Sequence, residues 1–246
     1  RTSMRSYLAV AFAVLAVLAG LPFVFVCLAA GLREPLLAFG LGIARVCCLI
    51  AGISLDVSGA GALAPGTPRI YMPNHTSFLD GPLVMLAVPG AARVILKRSI
   101  LRVPLVGVAM RFVGFVPVDR RGVEGGKKSI ARAAAFMKER GYSYLIFPEG
   151  TRSLDGRLGP FRRGGFFLAL ETGAPIVPVT VTGSGELMPK GRTTARPGRV
   201  GIAFHEPVPS AGLTVETMPE LMDKVRTAIL GGCSGKTAAT GGRARR

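Results

Sequence analysis

The sequence predicts an α/β domain with a largely parallel central sheet flanked by helices, preceded by an N-terminal pair of hydrophobic, membrane-associated helices. Three observations carry this reading. Residues 7–32 run without a single charge. The polar break Arg33-Glu34-Pro35 is followed by a second apolar stretch, residues 36–55, interrupted only by Arg45. From residue 66 onward, short β-rich runs alternate with helical stretches, the pattern of a sheet whose crossovers are helices.

Residues 7–32 supply 26 uncharged positions, enough to cross a hydrocarbon core of ~30 Å, with Pro22 placed to kink the helix. The stretch is too long for a cleaved signal peptide, and bulky Val26 argues against a lipoprotein site at Cys27. As a helix, residues 36–55 extend about 30 Å at 1.5 Å per residue. Two topologies fit. Either the pair is a spanning hairpin that returns the chain to the side of Arg1 and Arg5, or both helices dip into one leaflet while Arg45 snorkels or faces the domain behind it. Both place that domain at the cell membrane on the cytoplasmic side, in keeping with the positive-inside tendency. A buried core helix over part of 36–55 is a third reading. The expected boundaries are 1–56 for the membrane segment, 57–230 for the α/β domain and 231–246 for a disordered basic tail.

Within the domain, strands are expected over 69–72, 91–96, 113–118, 142–147, 176–182 and 200–204. Helices are expected near 79–88, 99–112, 126–140 and 164–172, with residues 122–128 as a Gly- and Lys-rich loop and Gly141 as a helix C-cap. Residues 214–230 read as an amphipathic helix with Leu221, Met222, Val225 and Ile229 on one face.

Charge narrows the partners. Thirty-one Lys and Arg oppose 14 Asp and Glu, a net of +17. Residues 1–56 hold four arginines against Glu34 and Asp56, which leaves +15 for the rest. Such a surface suits an anionic partner. No nucleic-acid-binding signature is present and Trp is absent, so an anionic membrane surface is the expected partner and nucleic acid is not. Four cysteines without a Cys-x-x-Cys pair and only two histidines imply neither a disulfide framework nor a metal site.

The chemistry centres on Asn74-His75-Thr76-Ser77-Phe78-Leu79-Asp80, at a strand-to-helix turn. There Asp80 can reach back to one ring nitrogen of His75 and leave the other facing out, a base with its orienter. Taken alone, such a His is as readily a capping or packing residue, and Asn74 and Thr76 are ordinary cap and turn residues. A second stretch, Phe147-Pro148-Glu149-Gly150-Thr151-Arg152-Ser153, also follows a strand-like run. Gly114-Phe115-Val116-Pro117-Val118-Asp119-Arg120 lies between the two, and Ala174-Pro175-Ile176-Val177-Pro178-Val179 follows them. Four blocks in this order, over roughly residues 65–205, resemble the glycerolipid acyltransferase family, specifically the 1-acylglycerol-3-phosphate (lysophosphatidate) acyltransferases.

The resemblance implies transfer of an acyl chain from a thioester to the sn-2 hydroxyl of 1-acylglycerol 3-phosphate, a lysophospholipid acceptor, giving phosphatidic acid. Acyl-CoA or acyl carrier protein would be co-substrate, and no metal or bound redox cofactor is implied. His75 takes the hydroxyl proton, and Asp80 fixes its tautomer and stabilises the imidazolium. Backbone N–H groups at the turn, with Asn74 or Ser77, are candidate oxyanion donors. By resemblance, Glu149, Gly150, Thr151 and Arg152 bind the acceptor: Arg152 grips phosphate, Glu149 orients hydroxyls or that arginine, and Gly150 permits a tight turn. Arg120 and Lys97 are further phosphate candidates. The competing readings are an acyltransferase for another acceptor, such as lyso-ornithine lipid, glycerol 3-phosphate or a lysophospholipid in phospholipid remodelling, a hydrolase activating water, and a non-catalytic membrane lipid-binding protein.

Overall fold

The computed structural model describes residues 2–63, 66–90, 92–118 and 123–235. The charge-free front is two helices, α1 (Thr2–Ala19) and α2 (Leu21–Ala29), bent by 52° at Gly20. Pro22 sits in the first turn of α2, where its missing N–H is harmless. The second apolar stretch is α3 (Arg33–Ala51). By length and composition α3 could cross a membrane, as could α1 and α2 taken as one broken span.

After α3 the chain turns directly into β1 (Ile53–Ser58), the edge strand of the sheet. This corrects the sequence reading, which continued the apolar helix to residue 55 and closed the membrane segment at 56. Ile53 and Val57 are β-branched, and the ladder to residues 198–203 claims them. The remaining elements follow in order: β2 (Ile70–Pro73), α4 (Asp80–Ala87), β3 (Ala92–Lys97), α5 (Val106–Phe112), β4 (Val116–Val118), α6 (Val123–Arg140), β5 (Ser143–Leu145), α7 (Gly164–Thr172), β6 (Ile176–Thr182), α8 (Ser184–Leu187), β7 (Gly198–Phe204) and α9 (Met218–Gly235). Helix α6 starts at Val123, so most of the expected loop at 122–128 is helical, and it stops before Gly141 as expected. Helix α9 runs to Gly235, past the expected start of the tail. Residues 236–246 of that tail lie outside the described residues.

Among the described residues, seven strands form one sheet in the order β1-β7-β6-β2-β5-β3-β4. Every neighbouring pair is parallel except β6 with β7, so the sheet is largely parallel, with β1 and β7 running against the other five strands. Both faces are covered, so the central strands are largely apolar and alternate between two cores. On β2, Tyr71 packs towards α3 and α4, whereas Ile70 and Met72 pack towards α6, α7 and α9. Leu221, Val225 and Ile229 of α9 are fully buried on the second face.

The N-terminal helices are fastened to the domain by polar contacts at the N-terminal end of α3 and near the start of α1. The Ser6 hydroxyl donates to the Ala195 carbonyl and accepts from the Ala195 N–H, both at 3.0 Å. Arg33 bonds the Phe112 carbonyl and lies over the Phe112 ring. Glu34 pairs with Arg93, a fully buried guanidinium that also donates to the Val113 carbonyl at 2.8 Å and stacks on Tyr142. Helix α3 therefore lies along the domain instead of standing off it.

Candidate active site

Strand β2 ends at Pro73, and the chain turns through residues 74–79 into α4. His75 Nδ1 lies 2.9 Å from Asp80 Oδ2. The same carboxylate oxygen accepts the N–H groups of Thr76 at 2.7 Å and Ser77 at 2.8 Å. Asp80 is the first residue of α4 and fully buried. Three donors and the positive end of the helix dipole compensate that buried charge. With Nδ1 engaged, Nε2 is the nitrogen left for a substrate proton. The imidazole stacks on Phe147, with ring centroids 3.8 Å apart, and lines a cavity of about 700 Å³.

Glu149 is placed differently from the sequence expectation. It is buried, and both carboxylate oxygens are taken by backbone: Oε1 accepts the His75 N–H and Oε2 the Gly159 N–H, each at 2.8 Å. It clamps the backbone of the His75 turn to the loop after residue 150. Burial pushes its carboxyl above the usual carboxylate range, opposed by those two N–H groups and by the charges of His75 and Arg226. Arg226 of α9 holds the far side of this clamp, donating to the Gly159 carbonyl at 2.7 Å and the Leu158 carbonyl at 2.9 Å.

Asn74 and Ser77 support the turn. The Asn74 amide closes two bonds with the Val181 backbone, at 2.9 and 2.7 Å, extending the β2–β6 pairing past Pro73. The Ser77 hydroxyl donates to the Met188 carbonyl at 2.8 Å and accepts from Leu79 N–H. With Thr76, Ser77 and Leu79 N–H groups all spent inside the turn, those amides are not available to an oxyanion.

Lys97 at the end of β3, Gly150, Thr151 and Arg152 all line the His75 cavity. Gly150 has φ +68°, a conformation that makes the Phe147–Gly150 turn and favours glycine. Arg120 lies outside the described residues. Sequence reasoning missed three residues. Lys190 lines the cavity beside Arg152 and donates to its carbonyl at 3.0 Å; Phe147 supplies the stacking face; Arg226 braces the Glu149 clamp. Lys190 and Arg226 carry no local signal, being one cation of a loop and one of an amphipathic helix.

The rest of the cavity is apolar. Leu36, Leu37, Phe39 and Gly40 of α3, Met85 of α4, and Ala109 and Met110 of α5 form its walls. The site is thus a slot between the N-terminal helices and the sheet, with an imidazole–carboxylate pair and three cationic side chains along it.

Residues 54–182 match the model of the family described as Acyltransferase. The chain belongs to the acyltransferase family. Among similar proteins, the chain is 39% identical over 155 residues to the chloroplastic 1-acyl-sn-glycerol-3-phosphate acyltransferase BAT2 of Brassica napus, covering 62% of this chain and 44% of that one. It is 32% identical over 179 residues to the human 1-acyl-sn-glycerol-3-phosphate acyltransferase alpha, covering 73% and 63%. The chain therefore spans less than two thirds of the length of these relatives. The crystal structure of the 1-acyl-sn-glycerophosphate (LPA) acyltransferase PlsC from Thermotoga maritima matches with a TM-score of 0.77 and 27% identity, over 97% of this chain and 98% of that one. The match thus takes in the N-terminal helices as well as the α/β domain.

Proposed function

We propose that the chain transfers an acyl group from an acyl thioester to the sn-2 hydroxyl of 1-acylglycerol 3-phosphate, producing phosphatidic acid at the cytoplasmic face of a membrane. The observation that carries this reading is the His75–Asp80 pair, 2.9 Å apart, opening onto an apolar slot with Lys97, Arg152 and Lys190 on its wall. His75 Nε2 accepts the acceptor's hydroxyl proton as its oxygen attacks the thioester carbonyl. Asp80 holds the ring by Nδ1 and stabilises the imidazolium. The tetrahedral adduct then collapses, the C–S bond breaks, and the thiolate takes the proton from Nε2. Positioned proton transfer of this kind is worth roughly 10²–10⁴-fold.

The cations suit a phosphate monoester on the acceptor, since arginine and lysine donors match its oxygens. The apolar walls suit acyl chains, whose exposure to water costs ~0.8 kcal/mol per methylene. Acyl-CoA and acyl carrier protein are both acidic, and either fits the basic surface as donor. The outward face of α1, with Met4, Tyr7, Leu8, Leu15 and Leu18 exposed, would lie in lipid. Fastening at the start of α3 and near the start of α1 favours helices seated in one leaflet over a hairpin standing off the domain.

The test is thiol release from acyl-CoA by the full chain, with lysophosphatidate, with lysophosphatidylcholine and with no acceptor. Release should depend on the acceptor and be fastest with the phosphate monoester, and His75→Ala should lower it roughly 10²–10⁴-fold. Acceptor-independent release would mark a hydrolase, and wild-type turnover in His75→Ala would end the proposal.

A further inference from the structure

The segment from Arg98 to Arg111 is an exposed apolar knuckle set among cations. Val103, Leu105 and Val108 are 51, 52 and 57% exposed, although each is a large apolar side chain. The backbone is bent tightly to present them. Val106 N–H bonds the Pro104 carbonyl at 2.6 Å across Leu105, which has φ +60° and ψ −57°. This is the rarer, strained hand of the γ-turn. Leu105 is the one non-glycine residue with positive φ among the described residues. At the base of the knuckle, a Cβ on Gly107 would stand 2.1 Å from the Leu101 carbonyl oxygen, so the two strands of the turn cross in contact.

The charge within the segment itself has one sign. Arg98, Arg102 and Arg111 are exposed, and the sequence holds no acidic residue between Asp80 and Asp119. The segment is also continuous with two other surfaces. Helix α5 packs on α2 and α3 of the N-terminal unit. Ile100, Leu105 and Val106 line the same cavity as His75 and Lys97.

We propose that this knuckle is a second membrane contact, separate from the N-terminal helices: Val103, Leu105 and Val108 enter an anionic leaflet while Arg102 and Arg111 engage lipid phosphates. It rests on the reading that the chain works at a bilayer. An apolar tip ringed by arginines fits the boundary between acyl chains and anionic headgroups. An acidic protein would also meet these arginines, but continuity with the exposed apolar N-terminal helices favours a bilayer. Seated there, the knuckle sets the rim of the cavity at headgroup depth, where a lysolipid can slide in without leaving the leaflet.

The absence of Trp allows a direct test with single-Trp variants of the full chain, reconstituted into phosphatidylcholine vesicles with and without phosphatidylglycerol. Val103→Trp and Val108→Trp should emit further to the blue in the anionic vesicles, be quenched by brominated acyl chains and be shielded from iodide. Arg102→Glu with Arg111→Glu should abolish that dependence on phosphatidylglycerol, each charge contributing roughly fivefold to partitioning. Leu15→Trp on α1 reports the N-terminal face, and Val215→Trp, in the loop before α9, serves as the aqueous control. If Leu15→Trp is quenched while both knuckle reporters stay open to iodide, the knuckle contact is wrong and the membrane reading survives. If none is quenched, both fall. Blue-shifted knuckle emission without bromolipid quenching would mean that protein covers the knuckle, and would also overturn the inference.

Discussion

Glu149→Gln separates two roles for the carboxylate. In one, read from the sequence, it touches substrate hydroxyls or Arg152; in the other, read from the structure, it clamps backbone. The carboxylate accepts two N–H groups, from His75 and Gly159, both at 2.8 Å and out of solvent. A glutamine offers one oxygen and one NH₂. However the amide turns, one of the two backbone donors faces another donor. The loss is one charge-assisted bond, about 1.5–3 kcal/mol, plus an unsatisfied buried N–H of about 1–3 kcal/mol. Relief of the buried charge, the effect that raises the Glu149 carboxyl, offsets part of this. A net destabilisation of about 3 kcal/mol remains, or roughly 6–12 °C in Tm for a chain of this size. A displaced His75 turn should also lower kcat, on the order of 10²-fold for a shift of about 1 Å. The acceptor KM should hold, because Glu149 does not line the His75 cavity. Thermal unfolding in detergent and initial rates over an acceptor series measure all three. Unchanged Tm and kcat with a raised acceptor KM would refute the clamp and restore the substrate-binding role.

Asp80→Asn keeps one acceptor oxygen for the turn but cannot stabilise an imidazolium. Its kcat should fall roughly 10²–10⁴-fold with little change in acceptor KM, and near-normal kcat would remove Asp80 from the mechanism. Arg226→Ala should raise the Glu149 carboxyl further, because a cation that favours its ionised form is lost while burial continues to raise that group. Direct titration of the carboxyl by NMR measures this, and an unmoved Glu149 would disconnect α9 from the clamp. Since the folded value of Glu149 lies above its unfolded one, its contribution to stability is greatest below the unfolded value and is lost as pH rises through the folded one. Arg93→Met should cost roughly 2–4 kcal/mol in denaturant unfolding, since it strips a buried hydrogen-bonded cation from Val113, Glu34 and Tyr142. Glu34→Gln, at the half-exposed end of that pair, should cost under about 1 kcal/mol; equal losses would contradict the ranking.

What local pattern determines was readable. Alternation of β-rich and helical runs marked six of the seven strands and the helices between them, because side-chain period and glycine or proline punctuation act over a few residues. The same locality placed His75 and Asp80 on one turn. Strand β1 escaped, because its apolar residues continue the run of α3 and only pairing with β7, far along the chain, makes them a strand. The reversal of β1 and β7 relative to the rest escaped for the same reason. So did the work of Asn74, Ser77 and Glu149. Each is a polar residue beside the base, and which polar residue meets substrate and which meets backbone depends on the groups that tertiary packing brings within about 3 Å: Val181, Met188, Gly159. Lys190 and Arg226 reach the site from loops and helices whose own sequence says nothing of it. The residue types at this site follow from sequence, whereas their roles follow from burial, because a buried donor or acceptor must take the nearest partner the fold supplies.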